Sequence, residues 1–542
     1  MKTMVTRLCV VSLAGVMLCA GAARGQFVRP AVSLEELTVE ADIIFKGTAV
    51  SSGPAQDDWF RPYQSFVVRE TQFKVISVIK GQGPGGRLLF RHYDEDPQPR
   101  GSSIQPQHYH FEIGRTYIVF AKQDGSPGVF RQLWMNRTAK EDQGVLRCAN
   151  DKPVDRKTVK EVLWAELTAM LASGEAPDVI YAIGQLDQMS GKRPWFDGTP
   201  DFGRADVLAA VRELMTNGDP KIAKVAIGVV GSHNPYMHDE WAIWWLATVG
   251  SARMPGIGRI DPNTKNPGGA LYWKDLVALA DSRAPDETRT AAIRALALVR
   301  EPSLADPIER WLADPVPSVR ASAALLLADF SGPEMRKRLT ALAGDTALEV
   351  RVCVARAVGF AQQVELADVL ARLLADKERE VRRAAAMSLL SFSPKNEAIA
   401  AIFQANIENK EFKPLFLVAL ARENPAGYLD GLATTVEQKT EPEDFWGGQL
   451  PAFTAWEILF KYLQAQPADE IRSGTFDRYL DALEKVGNYS SSQPRDIYAF
   501  YLQRGMTERA SKFRQEAKKT IPYDMEYYFK QVDEDPSLYT RQ

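Results

Sequence analysis

The chain has 542 residues, of which 45% are apolar and 25% are charged, with a formal net charge of -3 and a pI near 6.1. This length exceeds what a single hydrophobic core supports, so the sequence predicts several domains. The composition is ordinary for a folded protein, and the lack of a basic excess argues against nucleic acid as a partner.

The first 25 residues have the layout of a secretory signal peptide. Lys2 and Arg7 give a positive start, and residues 8–23 form an apolar run that ends in small residues. The run is shorter than the about 20 residues needed to cross a bilayer, so it predicts cleavage and export to the periplasm or the extracellular space. A lipid anchor on Cys19 is the alternative, although a bulky residue precedes it. The sequence predicts no transmembrane segment after signal cleavage.

Residues 27–150 are predicted to form a small β domain. Stretches rich in branched and aromatic residues alternate with clusters of Gly, Pro and Asp, which is typical of strands joined by turns. The expected strands cover residues 43–50, 72–79, 87–91, 115–121 and 129–134. So many short strands in so small a domain favour a closed or partly open barrel, or a sandwich.

Three segments of this domain resemble the netrin-like OB-fold of tissue inhibitors of metalloproteinases and their bacterial relatives. They are residues 41–47, residues 75–81 with a Lys-Gly turn, and residues 114–120 with a Gly-x-x-Tyr motif before a strand. The resemblance implies an OB-like barrel. In that family an amino-terminal cysteine caps the protease metal, whereas this chain has no cysteine between the predicted cleavage site and Cys148. Inhibition by that mechanism is therefore not implied.

Two cysteines, Cys148 and Cys353, would remain after signal cleavage, and they lie in different predicted domains. The sequence leaves open whether they pair, because a disulfide requires Cα atoms within about 7 Å of each other. Cys353 takes an alanine-like position on a repeat helix, where a small buried thiol is expected.

From residue 158 the spacing of apolar residues changes to that of helices. Residues 158–410 are predicted to form an α-solenoid that is clearest over 280–392. A helical extension is expected over 411–520, followed by a tail over 521–542.

One phrase recurs in the solenoid: an Asp, a short polar stretch, an Arg and an alanine-rich helix. Successive copies lie 33, 31 and 31 residues apart, with aspartates at Asp281, Asp314, Asp345 and Asp376 and arginines at Arg289, Arg320, Arg351 and Arg382. A fixed period of this length is typical of stacked helical arrays, which usually present an extended concave binding surface.

The phrase resembles HEAT repeats, in particular the short bacterial type that also occurs in phycobilin lyases. The resemblance implies a solenoid but no lyase activity, because many non-enzymes share the repeat. In each unit the Asp can cap the next helix and the Arg can donate to a neighbouring turn. We therefore interpret six residues as structural ties between units: Asp314, Arg320, Asp345, Arg351, Asp376 and Arg382.

Three histidines of the β domain, His92, His108 and His110, are candidate metal ligands. His108 and His110 would lie on one face of a strand, near a run of carboxylates. Such residues are also commonly just exposed polar side chains in turns. No nucleophile-elbow, phosphate-loop, Cys-x-x-Cys or dinucleotide motif occurs, so the sequence predicts no catalytic residue and no cofactor.

Aromatic residues outside the regular repeats are candidate partner-binding side chains, namely Trp241, Phe445 and Trp446. Aromatic residues are common anchors at interfaces, although they equally fill the core between stacked helices. The leading hypothesis is a secreted, non-catalytic scaffold that binds an unidentified protein. The alternatives are a metal-dependent hydrolase with a site on the β domain and a protease-inhibitor-like barrel on a helical spacer.

Overall fold

The computed structural model describes residues 33–61, 66–96, 106–125, 128–134, 144–156, 158–190, 200–231, 266–330, 332–438, 450–485, 492–520 and 525–535. The predicted signal peptide, including Cys19, lies outside the described residues. The chain divides into two compact units, Met1–Ser232 and His233–Gln542. No helix within the described ranges combines the length and the apolar character needed to span a membrane.

A β-sheet opens the first unit. Its elements in chain order are α1 (Leu34–Glu40), β1 (Ile43–Pro54), β2 (Phe66–Lys80), β3 (Arg87–Glu95), β4 (Thr116–Gln123), β5 (Val129–Arg131) and β6 (Val145–Arg147). Strand β1 pairs with β2 and β4, β2 with β3, β3 with β5, and β4 with β5 and β6. The β3–β5 pair is parallel and the other pairs are antiparallel. A β region ahead of helices was expected and is confirmed, whereas the sequence did not predict β6.

The sheet encloses an aromatic core. Phe73 of β2 meets the rings of Phe45, Phe90, Phe111 and Tyr117 edge to face, with centroids between 5.0 and 6.5 Å in this group. Edge-to-face contacts add to the hydrophobic gain of burying such large side chains. The aromatic residues of the predicted strands therefore stabilise the sheet from one shared interior.

The Lys-Gly turn after β2 holds helix α1 in place. Lys80 Nζ donates to the carbonyl oxygens of Thr38 and Ala41, each at 2.6 Å, where the carbonyl end of the helix attracts a cation. Gly81 has a φ of +81°, and a Cβ there would overlap the carbonyl oxygen of Asp42. Only glycine fits this position, so part of the motif that carries the netrin-like resemblance serves local packing.

Among the described residues of the first unit, four helices follow the sheet: α2 (Val159–Leu171), α3 (Ala176–Ser190), α4 (Arg204–Arg212) and α5 (Pro220–Val230). Helix α2 begins with a capping box in which Thr158 and Glu161 satisfy each other's backbone N–H groups. Helix α3 contacts the sheet because the Tyr181 hydroxyl accepts from the backbone N–H of Arg147 at 3.2 Å.

Helix pairs form the second unit. From residue 266 onwards, the first ten helices that the structure describes are α6 (Pro267–Ala280), α7 (Asp286–Ala295), α8 (Ala305–Leu312), α9 (Pro317–Leu326), α10 (Pro333–Leu342), α11 (Leu348–Ala361), α12 (Ala367–Leu373), α13 (Arg379–Leu389), α14 (Glu397–Asn406) and α15 (Lys413–Ala421). The alanine-rich helices α7, α9, α11 and α13 pack in succession, each on the next. Buried small residues such as Ala324, Ala355 and Ala385 let these helices approach closely.

The second unit continues with seven further helices, which are α16 (Leu429–Glu437), α17 (Leu450–Gln464), α18 (Ala468–Arg472), α19 (Asp477–Glu484), α20 (Ser492–Gln503), α21 (Thr507–Thr520) and α22 (Met525–Glu534). Their core is large and aromatic, and includes Trp456, Phe460, Tyr501 and Phe529. Trp456 stacks on Phe460 at 4.8 Å and donates to the Leu483 carbonyl at 3.3 Å.

Candidate functional site

A ladder of arginine–carboxylate pairs links successive units of the helical array. Arg320 donates from Nε and Nη2 to the two carboxylate oxygens of Asp345, both at 3.0 Å. Arg351 does the same to Asp376, at 2.7 and 3.0 Å. One unit earlier, Arg289 Nη2 donates to Asp314 at 2.5 Å. Paired bonds of this kind are strong and directional, so they set the register between neighbouring units.

Each guanidinium also contacts the turn of its own unit. Nη1 of Arg320 donates to the Asp314 carbonyl oxygen, and Nη1 of Arg351 donates to the Asp345 carbonyl oxygen, both at 2.9 Å. A single side chain therefore joins two consecutive turns. The planar fork of arginine suits this task, whereas a lysine ammonium could not make the same set of bonds.

Each ladder aspartate has a second task in its own turn. The Asp345 carboxylate accepts from the backbone N–H of Ala347 at 2.8 Å, and that of Asp376 accepts from Glu378 at 2.8 Å. Burial alone would raise the pKa of the Asp345 carboxyl, but hydrogen bonds from Arg320 and Ala347 outweigh it, so that pKa lies below its ordinary value. The ionised form needed for the ladder is thus stabilised.

The partners at the two ends of the ladder differ from those in its middle. Arg382 donates from Nε and Nη2 to Glu411, both at 2.9 Å, and the turn bond passes to Asn409, which accepts from the Glu411 N–H at 3.0 Å. Two residues here replace one aspartate, and the sequence interpretation missed Glu411. At the other end, Asp281 accepts instead from Trp311 Nε1 at 2.7 Å and Arg310 Nη2 at 2.6 Å.

The three candidate histidines have different surroundings. His92 is fully buried, with Nδ1 2.9 Å from the Tyr93 carbonyl oxygen and Nε2 2.8 Å from the Thr71 hydroxyl. Both ring nitrogens are therefore bonded within the protein, and burial lowers the pKa of His92 to about 4. This geometry gives His92 the surroundings of a structural residue.

His108 and His110 each lie beside a carboxylate. His108 Nε2 is 3.6 Å from Glu95, and His110 Nδ1 is 3.4 Å from Asp94, with the His110 side chain largely exposed. Among the residues that the structure describes, no group of three or more His, Cys, Asp or Glu side chains is arranged to hold a metal ion. The metal hypothesis has no ligand set in this part of the chain.

The proposed partner-binding residues Trp241, Phe445 and Trp446 lie outside the described residues. A shallow groove that the sequence did not indicate runs along the outer face of α2, and its lining is Arg156, Glu161, Trp164, Ala165, Thr168 and Ala169. Its lining combines the aromatic ring of Trp164, which also packs on Phe202 with ring centroids 5.0 Å apart, with the oppositely charged Arg156 and Glu161. The feature of α2 that could have indicated this groove is its second face, which is partly exposed while the opposite face is buried.

The two cysteines are free and buried, and they lie in separate units. Burial raises the pKa of each thiol, so neither thiol is ionised near neutral pH. Close to Cys148, Lys46 Nζ lies 2.5 Å from Glu166 Oε1 and is 1% exposed. This ion pair ties β1 to α2 and makes Glu166, a helix residue, part of the interior of the unit.

Similarity to known proteins agrees with the stacked helix pairs of the second unit. The family model for HEAT repeats matches residues 274–351 and 312–391. Tandem helix pairs with repeated internal ties define the class of α-solenoids, and residues 274–391 consist of HEAT repeats. No curated protein sequence matches the chain.

Several solved structures are similar in part. YibA of Escherichia coli is 14% identical, with 55% of this chain and 93% of that chain covered and a TM-score of 0.32. A complex of Kap95p with RanGDP is 12% identical over 70% of this chain and 51% of that chain, with a TM-score of 0.40. The Cnd3–Cnd2 condensin subcomplex of S. pombe is 13% identical over 69% and 57%, with a TM-score of 0.28.

Proposed function

We propose that this chain is a secreted, non-catalytic scaffold whose HEAT solenoid holds another protein. The observation that carries the proposal is the ladder, in which the charged residues of the repeat bind one another across successive turns. An array fixed in this way is a preorganised surface, and preorganisation lowers the entropic penalty of binding. Solenoids of this kind commonly act as scaffolds for protein interactions.

The first unit supports a second part of the proposal, an OB-like barrel. The pairings run from β1 through β2, β3, β5 and β4 and return to β1, with β3 and β5 parallel. We place this β domain at residues 27–150 and the solenoid at 158–410, although helices α2–α5 lie in the same compact unit as the sheet.

Export rests on the layout of the first 25 residues, and it has its own test. Amino-terminal sequencing of the protein purified from the culture medium or the periplasm should find a mature chain that starts after residue 25. A chain that starts at a lipid-modified Cys19 would replace secretion with an anchored form.

The binding proposal is tested with the mature protein as bait for the secreted proteins of the source organism. We expect a partner whose affinity for the Trp446→Ala variant falls at least about tenfold, equal to about 1.4 kcal/mol, while the melting temperature stays unchanged. Trp456→Ala is the control for a core residue and should lower the melting temperature. A folded Trp446→Ala variant that binds as tightly as the wild type would contradict the assignment of this residue.

A metal analysis of the purified protein tests the rival function. If one equivalent of zinc survives dialysis and is lost on His108→Ala, the β domain holds a metal and the scaffold-only view fails. His233→Ala serves as the matched control, because it changes a histidine of the other unit.

A further inference from the structure

A buried lysine of the first unit touches both a carboxylate and a side-chain amide. Lys46 of β1 has a side chain that is 1% exposed, and its Nζ lies 2.5 Å from Glu166 Oε1 of α2. The same nitrogen donates to Asn150 Oδ1 at 3.4 Å, although 104 residues separate the two in the chain. Strand pairing of Lys46 with Ser77 on one side and Ile118 on the other gives the amine a defined position.

Asn150 presents its carbonyl group to this amine. The carbonyl carbon lies about 1.2 Å from Oδ1, so Cγ is at most about 4.6 Å from Lys46 Nζ. A rotation of the exposed Asn150 side chain can bring the two atoms to the about 3–3.5 Å from which an attack begins. Oδ1 also accepts from the backbone N–H of Lys152 at 2.9 Å. A donor at this place stabilises the negative charge that a carbonyl oxygen gains when a nucleophile adds to its carbon.

Glu166 is placed to move protons between the amine and the amide. Its Oε1 contacts Lys46 Nζ, and its Oε2 accepts at 3.1 Å from the backbone N–H of Ala149, the residue directly before Asn150. A carboxylate within hydrogen-bond reach of an amine can act as its general base. An amine that has lost its extra proton is a nucleophile. The three side chains therefore bring together a nucleophile, a base and an amide that can be attacked.

We propose that Lys46 and Asn150 form an amide bond with each other, an intramolecular isopeptide bond whose formation Glu166 catalyses. Glu166 takes one proton from the Lys46 ammonium, and the freed electron pair of Nζ attacks Cγ of Asn150. The Nζ–Cγ bond forms, and the bond between Cγ and the amide nitrogen breaks. Glu166 passes its proton to that nitrogen, which leaves as ammonia, and the second proton lost by Nζ follows by the same route to give ammonium. Glu166 is a carboxylate again at the end, and nothing is oxidised or reduced.

The bond ties the beginning of the sheet to its end. Lys46 lies in β1, and Asn150 follows β6, the last strand of the sheet among the described residues. A covalent link between segments 104 residues apart restricts the unfolded chain more than the folded one, as a disulfide does, and so stabilises the fold. The bond does not depend on the scaffold function, since it concerns covalent chemistry inside the first unit.

Peptide mass spectrometry tests the bond on the full chain, purified in the folded state and then denatured and digested. Trypsin cleaves after a free lysine, so we expect Lys46 to remain uncut and to be joined to the peptide of residues 148–156. The intact protein should also be lighter by one ammonia. Cyclisation of an amino-terminal Gln26 would change the mass by the same amount, so the branched peptide decides the result.

Three variants separate the reaction from an ordinary ion pair. Asn150→Ala removes the amide but keeps the Lys46–Glu166 contact, so trypsin should cut at Lys46. Glu166→Gln should also give a free Lys46, because an amide cannot take up the proton, and circular dichroism checks its fold. Asn217→Ala is the matched control, since Asn217 Oδ1 accepts from the Asp219 backbone N–H at 2.8 Å in a turn of the same kind. It should keep the branched peptide, and its melting temperature should fall less than that of Asn150→Ala.

Two results would overturn the proposal. One is a folded wild-type protein in which trypsin cuts at Lys46 and residues 148–156 are recovered as a separate peptide, because Lys46 and Glu166 then form an ion pair only. The other is a folded Glu166→Gln variant that contains as much of the branched peptide as the wild type, because Glu166 would then not carry the proton.

Discussion

At the scale of single residues, His92 links the fold of the first unit to pH. The ring is fully buried and its pKa is lowered from 6.5 to about 4, mainly by burial. The neutral form is therefore the one that the folded state favours. The stability that His92 contributes is present at neutral pH and is lost as the pH falls from about 6.5 through about 4.

This predicts a measurable acid sensitivity. At pH 5 the wild type should lose about 2 kcal/mol of unfolding free energy on account of His92 alone, a loss that His92→Gln should not show. His110→Gln is the matched control, because that histidine is exposed, and it should follow the wild type. Urea unfolding at about pH 7 and about pH 5 measures the difference. Equal pH dependence in wild type and His92→Gln would show that His92 is not kept neutral by burial.

At the scale of elements, the approach of α11 to α13 depends on one glycine. A Cβ on Gly359 would lie 2.8 Å from Ser388 Cβ, closer than carbon atoms pack. Ser391 Oγ also donates to the Gly359 carbonyl oxygen at 3.2 Å, which holds the two helices together at this point. The alanine-rich character of these helices was visible in the sequence, but the closest contact was not.

Gly359→Ala should therefore destabilise the protein by about 1–3 kcal/mol, because the added methyl group forces the helices apart. Gly184→Ala, inside α3, is the matched control. Apart from the neighbouring backbone of its own helix, no atom lies within 4 Å of the added Cβ, so the higher helix propensity of alanine should stabilise the protein by about 0.5–1 kcal/mol. Calorimetry on both variants should show a lower melting temperature for Gly359→Ala and a higher one for Gly184→Ala. A neutral Gly359→Ala would mean that α11 and α13 can separate without loss.

At the scale of the whole molecule, the sequence predicted the contacts that recur in every repeat and missed those that occur once. The period of the Asp and Arg residues indicated stacked helix pairs, because a pattern repeated at one spacing reports one repeated contact. Glu411 escaped notice because it lies 29 residues after Arg382, whereas the other ladder partners lie 25 residues after their arginines. Burial of His92 depends on strand pairings between distant segments, which no local pattern encodes.

The ladder also predicts how the array unfolds. In a solenoid each unit contacts only its neighbours, so the pairs between units determine whether the units unfold together. The side chains of Arg351 and Asp376 are 7% and 10% exposed, so Arg351→Met leaves a buried carboxylate without its cation. We expect a loss of about 3 kcal/mol and a broader unfolding transition, with faster amide exchange in α11 and α13 than in α7.

Two further variants separate the ladder from ordinary surface charge. Asp376→Asn added to Arg351→Met removes the unpaired charge while an amide oxygen can still accept from Glu378, so it should recover part of the loss. Arg338→Met breaks the contacts of Arg338 to Glu309 and Glu334. These three side chains are 38–63% exposed, so the change in stability should be less than about 1 kcal/mol. Both arginines contact carboxylates of the same array, but only Arg351 is buried. If Arg338→Met destabilised the protein as much as Arg351→Met, the buried pairs of the ladder would contribute no more to the coupling of the units than exposed pairs do.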